Sequence, residues 1–305
     1  MLLVAGFSLL LLPLSLADSQ AQQWRSDSVI TMLVIGFGCL VIFPFYERYI
    51  ARKPFAPFYL LTDRTILGSC LLTGFRFASF YCWNAYLVSH LQVVFQLSIK
   101  DAGYIASIYN IGNCIFSILT GGLIRLSGRF KWMALIAVPL QIVGTGLMIY
   151  FRQPGTHLGY VIMSQIFIAF SGGTLVVTEE LAIMAAAGPD NVAVVLALQA
   201  VFMSIGGAAG ASISGAIWTN TLPKYLREYL PKDAPVDEIY ESLKKQLSYE
   251  WDSPTRQGIV KAYGESQKWM CVAATCMLGF AILFVMMWRD IRVKDFRKPS
   301  GSTVL

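Results

Sequence analysis

Three ionisable residues interrupt otherwise apolar stretches of this chain: Arg76, Glu179 and Glu180. A charge at the centre of a hydrocarbon layer costs roughly 2.5–3.5 kcal/mol on insertion scales, so such a group normally faces a cavity or a partner. Phe80, Trp83 and Asn84 share the approximate helical face of Arg76 by i+4, i+7 and i+8 spacing, and Tyr86 lies toward its edge. The spacing predicts that Arg76, Trp83, Asn84 and Tyr86 line a polar route, with Arg and Asn as donors and Trp and Tyr as stacking surfaces. The competing reading pairs Arg76 with another helix or lets it snorkel from a span end. Glu179 and Glu180 point about 100° apart on a helix, so at most one faces a central cavity. A carboxylate partly removed from water can exchange a proton near neutral pH, which a proton-coupled step requires. The bland reading leaves both hydrated near the interface.

Amides form a second set. Asn110 and Asn113 lie at i and i+3, and Gln141, Gln165 and Gln199 each add one amide to a further apolar stretch. Such groups act as glue between helices or touch a substrate. We carry Asn110, Asn113 and Gln199 as candidate substrate contacts. Gly206, Gly210, Ala211, Ser214 and Gly215 make overlapping small-xxx-small patterns, which predict close helix approach.

No enzyme chemistry emerges. There is no nucleophile–base set, no phosphate loop and no CxxC pair, and His90 and His157 are far apart in sequence. The six cysteines all lie in apolar stretches, which argues against a disulfide framework. No cofactor or metal is expected.

The elements that must position these groups follow from hydropathy. Of 305 residues, 56% are hydrophobic and 14% charged, against about 25% charged in soluble domains. A lipid-spanning helix needs roughly 20 mostly apolar residues. Eight spans are predicted: 2–17, 29–46, 66–89, 104–124, 132–151, 159–185, 191–217 and 269–288. The first also resembles a signal peptide ending near Asp18, although no Lys or Arg precedes it. A chain that opens inside an apolar run suggests that upstream sequence is missing. One set of short loops holds twelve basic residues, among them Arg125, Arg129 and Lys131, while the alternate set holds three. That asymmetry places both chain ends in the cytosol, and it explains the net charge of +6 as a topology signal rather than a nucleic-acid surface.

The segment 219–268 then faces outward. It carries eight basic and eight acidic residues and is punctuated by Pro223, Pro231, Pro235 and Pro254. Ile239, Leu243 and Leu247 suggest one helical face, and Ser253-Pro254 reads as an N-cap with proline at N1. A folded cap of short helices is expected. Its tyrosines Tyr225, Tyr229, Tyr240, Tyr249 and Tyr263 are candidate substrate contacts or, equally, anchors at the membrane surface.

Three stretches carry a resemblance. FYCWNAYLVSHLQVVFQLSIKDAGYIASIYNIGN (Phe80 to Asn113), GGTLVVTEELAIMAAA (Gly172 to Ala187) and NVAVVLALQAVFMSIGGAAGASISGAIWTNTLP (Asn191 to Pro223) resemble the fungal siderophore-iron transporter family of the major facilitator superfamily. The resemblance implies an all-α polytopic membrane protein: a two-helix hairpin (1–65) and the C-terminal six-helix half (66–218 and 269–288). It also implies an outer loop (219–268), a cytosolic tail (289–305), and no counterpart of the first six spans. It implies proton-coupled symport of ferric siderophores across the plasma or an endosomal membrane, with the absent half or another membrane subunit as partner. Siderophores are large and oxygen-rich, and the polar, aromatic wall predicted around Arg76 suits them. The stretch from Gly121 to Arg129 resembles the superfamily's cytosolic G-x-L-x-D-x-x-G-R latch. Gly121, Leu123, Gly128 and Arg129 match, but Arg125 stands where the pattern has Asp. A non-transporting truncated or regulatory subunit, and a drug–proton antiporter of the same fold, are the rival readings.

Overall fold

The computed structural model describes residues 27–49 and 58–292, with positions 5, 6, 8, 9 and 12 ahead of them. Most of the expected first span, the loop 50–57 and the tail beyond Arg292 lie outside the described residues. Helix α1 (Asp27–Tyr49) is the second member of the expected hairpin, and it exposes Val34, Phe37, Ile42 and Phe45, as a lipid-facing helix should. The short α2 (Phe58–Thr62) leads into the main helical body.

The first span of that body is broken. It runs as α3 (Arg64–Asn84) and α4 (Leu87–Phe95), interrupted at Ala85–Tyr86. Asp63 caps α3, accepting from the Thr65 amide at 2.8 Å, and its carboxylate also pairs with Arg289 at 3.1 Å. Helix α5 (Ile99–Ser127) opens on a Ser98 cap, whose hydroxyl accepts from the Asp101 amide. It closes on Gly128, whose φ of 70° is left-handed space that favours glycine. Helices α6 (Lys131–Phe151) and α7 (Leu158–Ala187) follow the expected limits within two residues. His157 caps α7 through Nδ1, which accepts from the Gly159 amide at 3.1 Å.

The outer segment departs from expectation. Helix α8 (Val192–Tyr229) passes through Pro223 instead of ending near 217. Two short helices, α9 (Val236–Glu241) and α10 (Leu243–Ser248), form the cap. They are separate because the Ser242 hydroxyl caps α10, so the single face predicted over Ile239 to Leu247 is broken. The last span starts at α11 (Pro254–Gly279), not near 269, and continues as α12 (Ala281–Met286). The expected Ser253 cap is present, accepting from the Arg256 amide at 3.2 Å. The cap is therefore carried on two long helices rather than laid between short ones.

Five of the described helical segments are long and apolar enough to cross a membrane; the broken α3–α4 is not among them. Glycines set the closest crossings. A Cβ at Gly206 would overlap the Gly74 carbonyl, and one at Gly210 would overlap that of Ala78, so α3 and α8 touch backbone to backbone. A Cβ at Gly173 would lie 2.5 Å from the Asn113 carbonyl, which brings α5 equally near α7. Gly206 and Gly210 of the small-residue pattern thus serve packing against α3, while Gly215 meets open space.

Candidate functional site

Helices α3, α7 and α8 bring four polar side chains together in the packed interior. Arg76 Nε donates to Glu179 Oε1 at 3.0 Å and Nη2 to Oε2 at 3.2 Å, a two-pronged ion pair. The Thr73 hydroxyl donates to the same Oε2 at 2.8 Å. Gln199 Nε2 donates in turn to Thr73 Oγ1 at 3.0 Å. Arg76 is 3% exposed and Glu179 fully buried, so the pair is shielded from screening. Thr73 and Arg76 stand at i and i+3 on α3, which places both over one turn of α7. The Tyr109 phenol of α5 lies within electrostatic reach of the guanidinium. Gly172 of α7 leaves room beside the Tyr109 hydroxyl and Asn113 Oδ1, to which a Cβ there would come within 3.1 and 3.2 Å.

The expected wall of Arg76, Trp83, Asn84 and Tyr86 separates into three environments. Arg76 belongs to the ion pair. Trp83 is 1% exposed, packed edge-on against Phe80 and Tyr109, so it is core and not an open wall. Asn84 is half-buried at the end of α3, and Tyr86, in the break, stacks on Trp218 at 4.1 Å and 6°. Arg76, Trp83 and Asn84 share one helix as the spacing predicted, and the break at Ala85–Tyr86 leaves only Tyr86 outside it. The two glutamates divide as adjacency requires: Glu179 is buried, Glu180 exposed. Gln199 binds Thr73. Asn110 is exposed on α5, while Asn113 Oδ1 is buried without a partner among the described residues.

The tyrosines also divide. Tyr263 is buried, 5.0 Å edge-on from Trp218, and donates to Gln246 Oε1 at 2.7 Å. Tyr225 and Tyr229 stack near the top of α8, and the Tyr225 hydroxyl accepts from Trp269 Nε1 at 3.0 Å. Tyr240 and Tyr249 are half-buried in the cluster under the cap. At the opposite end, Arg129 pairs with Asp290 at 3.6 Å, and Lys131 Nζ donates to the carbonyls of Met286 and Trp288. The latch loop thus grips the chain after α12, using an acidic partner outside the motif. Gly128 supplies its turn, and Gly121 meets open space.

Two arginines that read as loop residues are buried. Arg152 donates to the Trp83 carbonyl at 2.7 Å and to Gln267 Oε1 at 2.8 Å, with its guanidinium over the Trp83 ring. The carbonyl is freed by the break after α3, and the helix C-terminus favours the cation. Arg256 joins the Val93 carbonyl of α4, at 3.0 Å, to the Gln246 carbonyl of the cap. The sequence signal for Arg152 was its place one residue past a span end.

A multi-pass helical body of this kind, with its charges paired between spans, has the major-facilitator fold. The solved bacterial homologue of the human lysosomal transporter Spinster, in an inward-facing occupied conformation, superposes with TM-score 0.51 over 92% of this chain and 66% of that one, at 15% identity. An inward-facing unoccupied structure of a bacterial Spinster homologue gives the same score over 97% of the chain. No family model matches the chain. Within the superfamily, the fungal siderophore-iron transporters are the family it resembles over nearly its whole length. MFS siderochrome iron transporter 1 of Ajellomyces capsulatus is 51% identical over 99% of the chain and 52% of its own length. MFS siderochrome iron transporter D of Aspergillus fumigatus is 47% identical over 95% of the chain and 49% of its own. Siderophore iron transporter 1 of Schizosaccharomyces pombe is 39% identical over 93% and 47%. The chain thus spans about half the length of the curated relatives it matches.

Proposed function

We propose that this chain forms the C-terminal wall of a proton-coupled pathway for ferric siderophores in the plasma or an endosomal membrane. The observation that carries the reading is the Arg76–Glu179 ion pair, buried between spans and tied through Thr73 to Gln199. Protonating Glu179 removes the counter-charge of Arg76 and one reason for α3, α7 and α8 to hold this arrangement. A ligand that favours the freed guanidinium then biases the same two states, which is the requirement for coupling. Ferric siderophores are the substrate class because the relatives carry that name. In this fold substrate binds between two six-helix halves near the bilayer midplane. Asn84, Tyr86, Asn110 and Asn113 are the wall this chain offers, with Glu180 a second, more hydrated carboxylate. The tyrosines Tyr225, Tyr229, Tyr240 and Tyr249 offer an outer contact.

The test uses the chain joined to the N-terminal portion of the Ajellomyces capsulatus relative, expressed in cells lacking siderophore uptake. Uptake of radio-iron siderophore should rise with external acidity, and Glu179→Gln should abolish that dependence. The chain expressed alone should take up none. Uptake by the chain alone, or an unchanged pH profile in the Glu179→Gln variant, overturns the proposal. One rival reading is a non-transporting subunit. It is supported instead if the chain alone co-purifies with a complete relative and the joined protein is inactive. Competition by drug-like cations rather than ferric siderophores would point to an antiporter.

A further inference from the structure

Helices α5, α6 and α7 leave an open groove of about 470 Å³ between Phe116 and Ala137, at the end of the bundle where α5 turns into α6. Leu119, Leu123, Trp132, Ile136 and Phe170 line it, and each is more than a third exposed. Gly122 lines it too, and Gly121 beside it likewise meets nothing within 4 Å, so this face of α5 is bare. The floor is dry. Its only hydroxyls, Thr120 and Thr174, are almost fully buried and bond to each other at 3.1 Å. Among the lining side chains the Trp132 indole alone offers a polar solute a donor, whereas a hydrocarbon chain loses nothing by lying along the rest.

The rim is mainly basic, with Asp290 as an acidic member that pairs with Arg129 at 3.6 Å. From Tyr104 to Phe151 there is no Asp or Glu, while Arg125, Arg129 and Lys131 all fall within seven residues at the groove's end. Arg125 is exposed and enters no ion pair among the described residues. It is also the residue that replaces the acidic position of the latch pattern. Trp132 stands at the mouth, where an indole suits the boundary between headgroup and chain. Charge counting puts this rim on the cytosolic side, the leaflet rich in anionic lipid.

We propose that the α5–α6–α7 groove is a binding site for one anionic phospholipid, its acyl chain between Leu119, Leu123, Ile136 and Phe170 and its phosphate on Arg125 and Arg129. The site is separate from the Arg76–Glu179 network and rests only on the multi-pass reading, not on any substrate. Basic side chains near a membrane surface contribute about 1 kcal/mol each toward anionic lipid, which is about five-fold in affinity.

The test is native mass spectrometry of the detergent-purified full chain, titrated with phosphatidylserine or phosphatidylcholine of identical acyl chains. Phosphatidylserine should bind first and more tightly. Arg125→Gln with Arg129→Gln should lower its affinity by about 25-fold at most, erasing the preference while sparing phosphatidylcholine. Gly122→Phe, which fills the groove, should weaken both lipids. A phosphatidylserine with a photoreactive acyl chain, in vesicles of phosphatidylserine and phosphatidylcholine, should cross-link to α5 or α7 peptides bearing Leu119, Leu123 or Phe170. Equal binding of the two lipids, an effect of neither substitution, or cross-links only elsewhere overturns the site. The last result, obtained with the joined protein of the uptake test, would mean that protein covers the groove. Free inorganic phosphate should not compete; competition by it would indicate a surface anion site without a lipid.

Discussion

Gly206 lies directly on the backbone of Gly74: a Cβ on Gly206 would run into the Gly74 carbonyl, whereas a Cβ on Gly74 would meet the Phe202 carbonyl at 3.3 Å. That contact fixes the distance between α3, which carries Arg76 and Thr73, and α8, which carries Gln199.

Gly206→Leu should therefore push the helices apart and destabilise the protein by about 3 kcal/mol or more, since the obstacle is backbone. Gly215, on the same helix, meets nothing within 4 Å. Gly215→Ala should be neutral or stabilise by up to about 1 kcal/mol through helix propensity. Thermal unfolding of both variants in detergent compares them directly.

Breaking the buried ion pair on one side strands a charge. Glu179→Ala or Arg76→Ala should each cost about 3–5 kcal/mol. The double replacement Arg76→Met with Glu179→Met should recover much of that loss, because neither variant charge remains to be solvated. Fluorescence-detected size exclusion after a heat step would measure the order. A double variant no better than the singles refutes the pairing energetics.

Arg256 is the strap between cap and body. Arg256→Met removes the donors for the Val93 and Gln246 carbonyls, leaving two buried acceptors unsatisfied at about 1–3 kcal/mol each. The loss should be local. Hydrogen–deuterium exchange should rise in 236–248 and in α4, while the α5–α7 amides keep their protection.

Sidedness is open to chemical labelling. In sealed cells, an amine reagent that cannot cross membranes should modify Lys244 and Lys245 on the cap and spare Lys131. Modification of all three would contradict the topology drawn from loop charge.

How much of this was legible in the sequence depends on the range of the interaction. The helix cap at Ser253-Pro254 was, because it acts on its immediate neighbours. The ends of α8 and α11 were not. Beyond residue 218, α8 places Leu222 and Leu226, with Leu230 just past its end, against the cap while Lys224, Arg227 and Glu228 face water. An amphipathic extension of that kind has the composition of a loop, and Pro223 reinforced the misreading. Arg76 and Glu179 were singled out separately as costly charges, but 103 positions separate them and no local pattern says that they meet. The same holds for Arg152, where the end of one helix needed the broken end of another.

The length of α8 has a mechanical consequence. Its 38 residues rise about 57 Å, against about 40–45 Å for a bilayer with its headgroups. Standing along the bilayer normal, the span leaves about 12–17 Å of helix, two to three turns, clear of the lipid to hold the lobe at 236–248 aloft. A bulky solute arriving from the medium would meet that raised platform before it met the membrane.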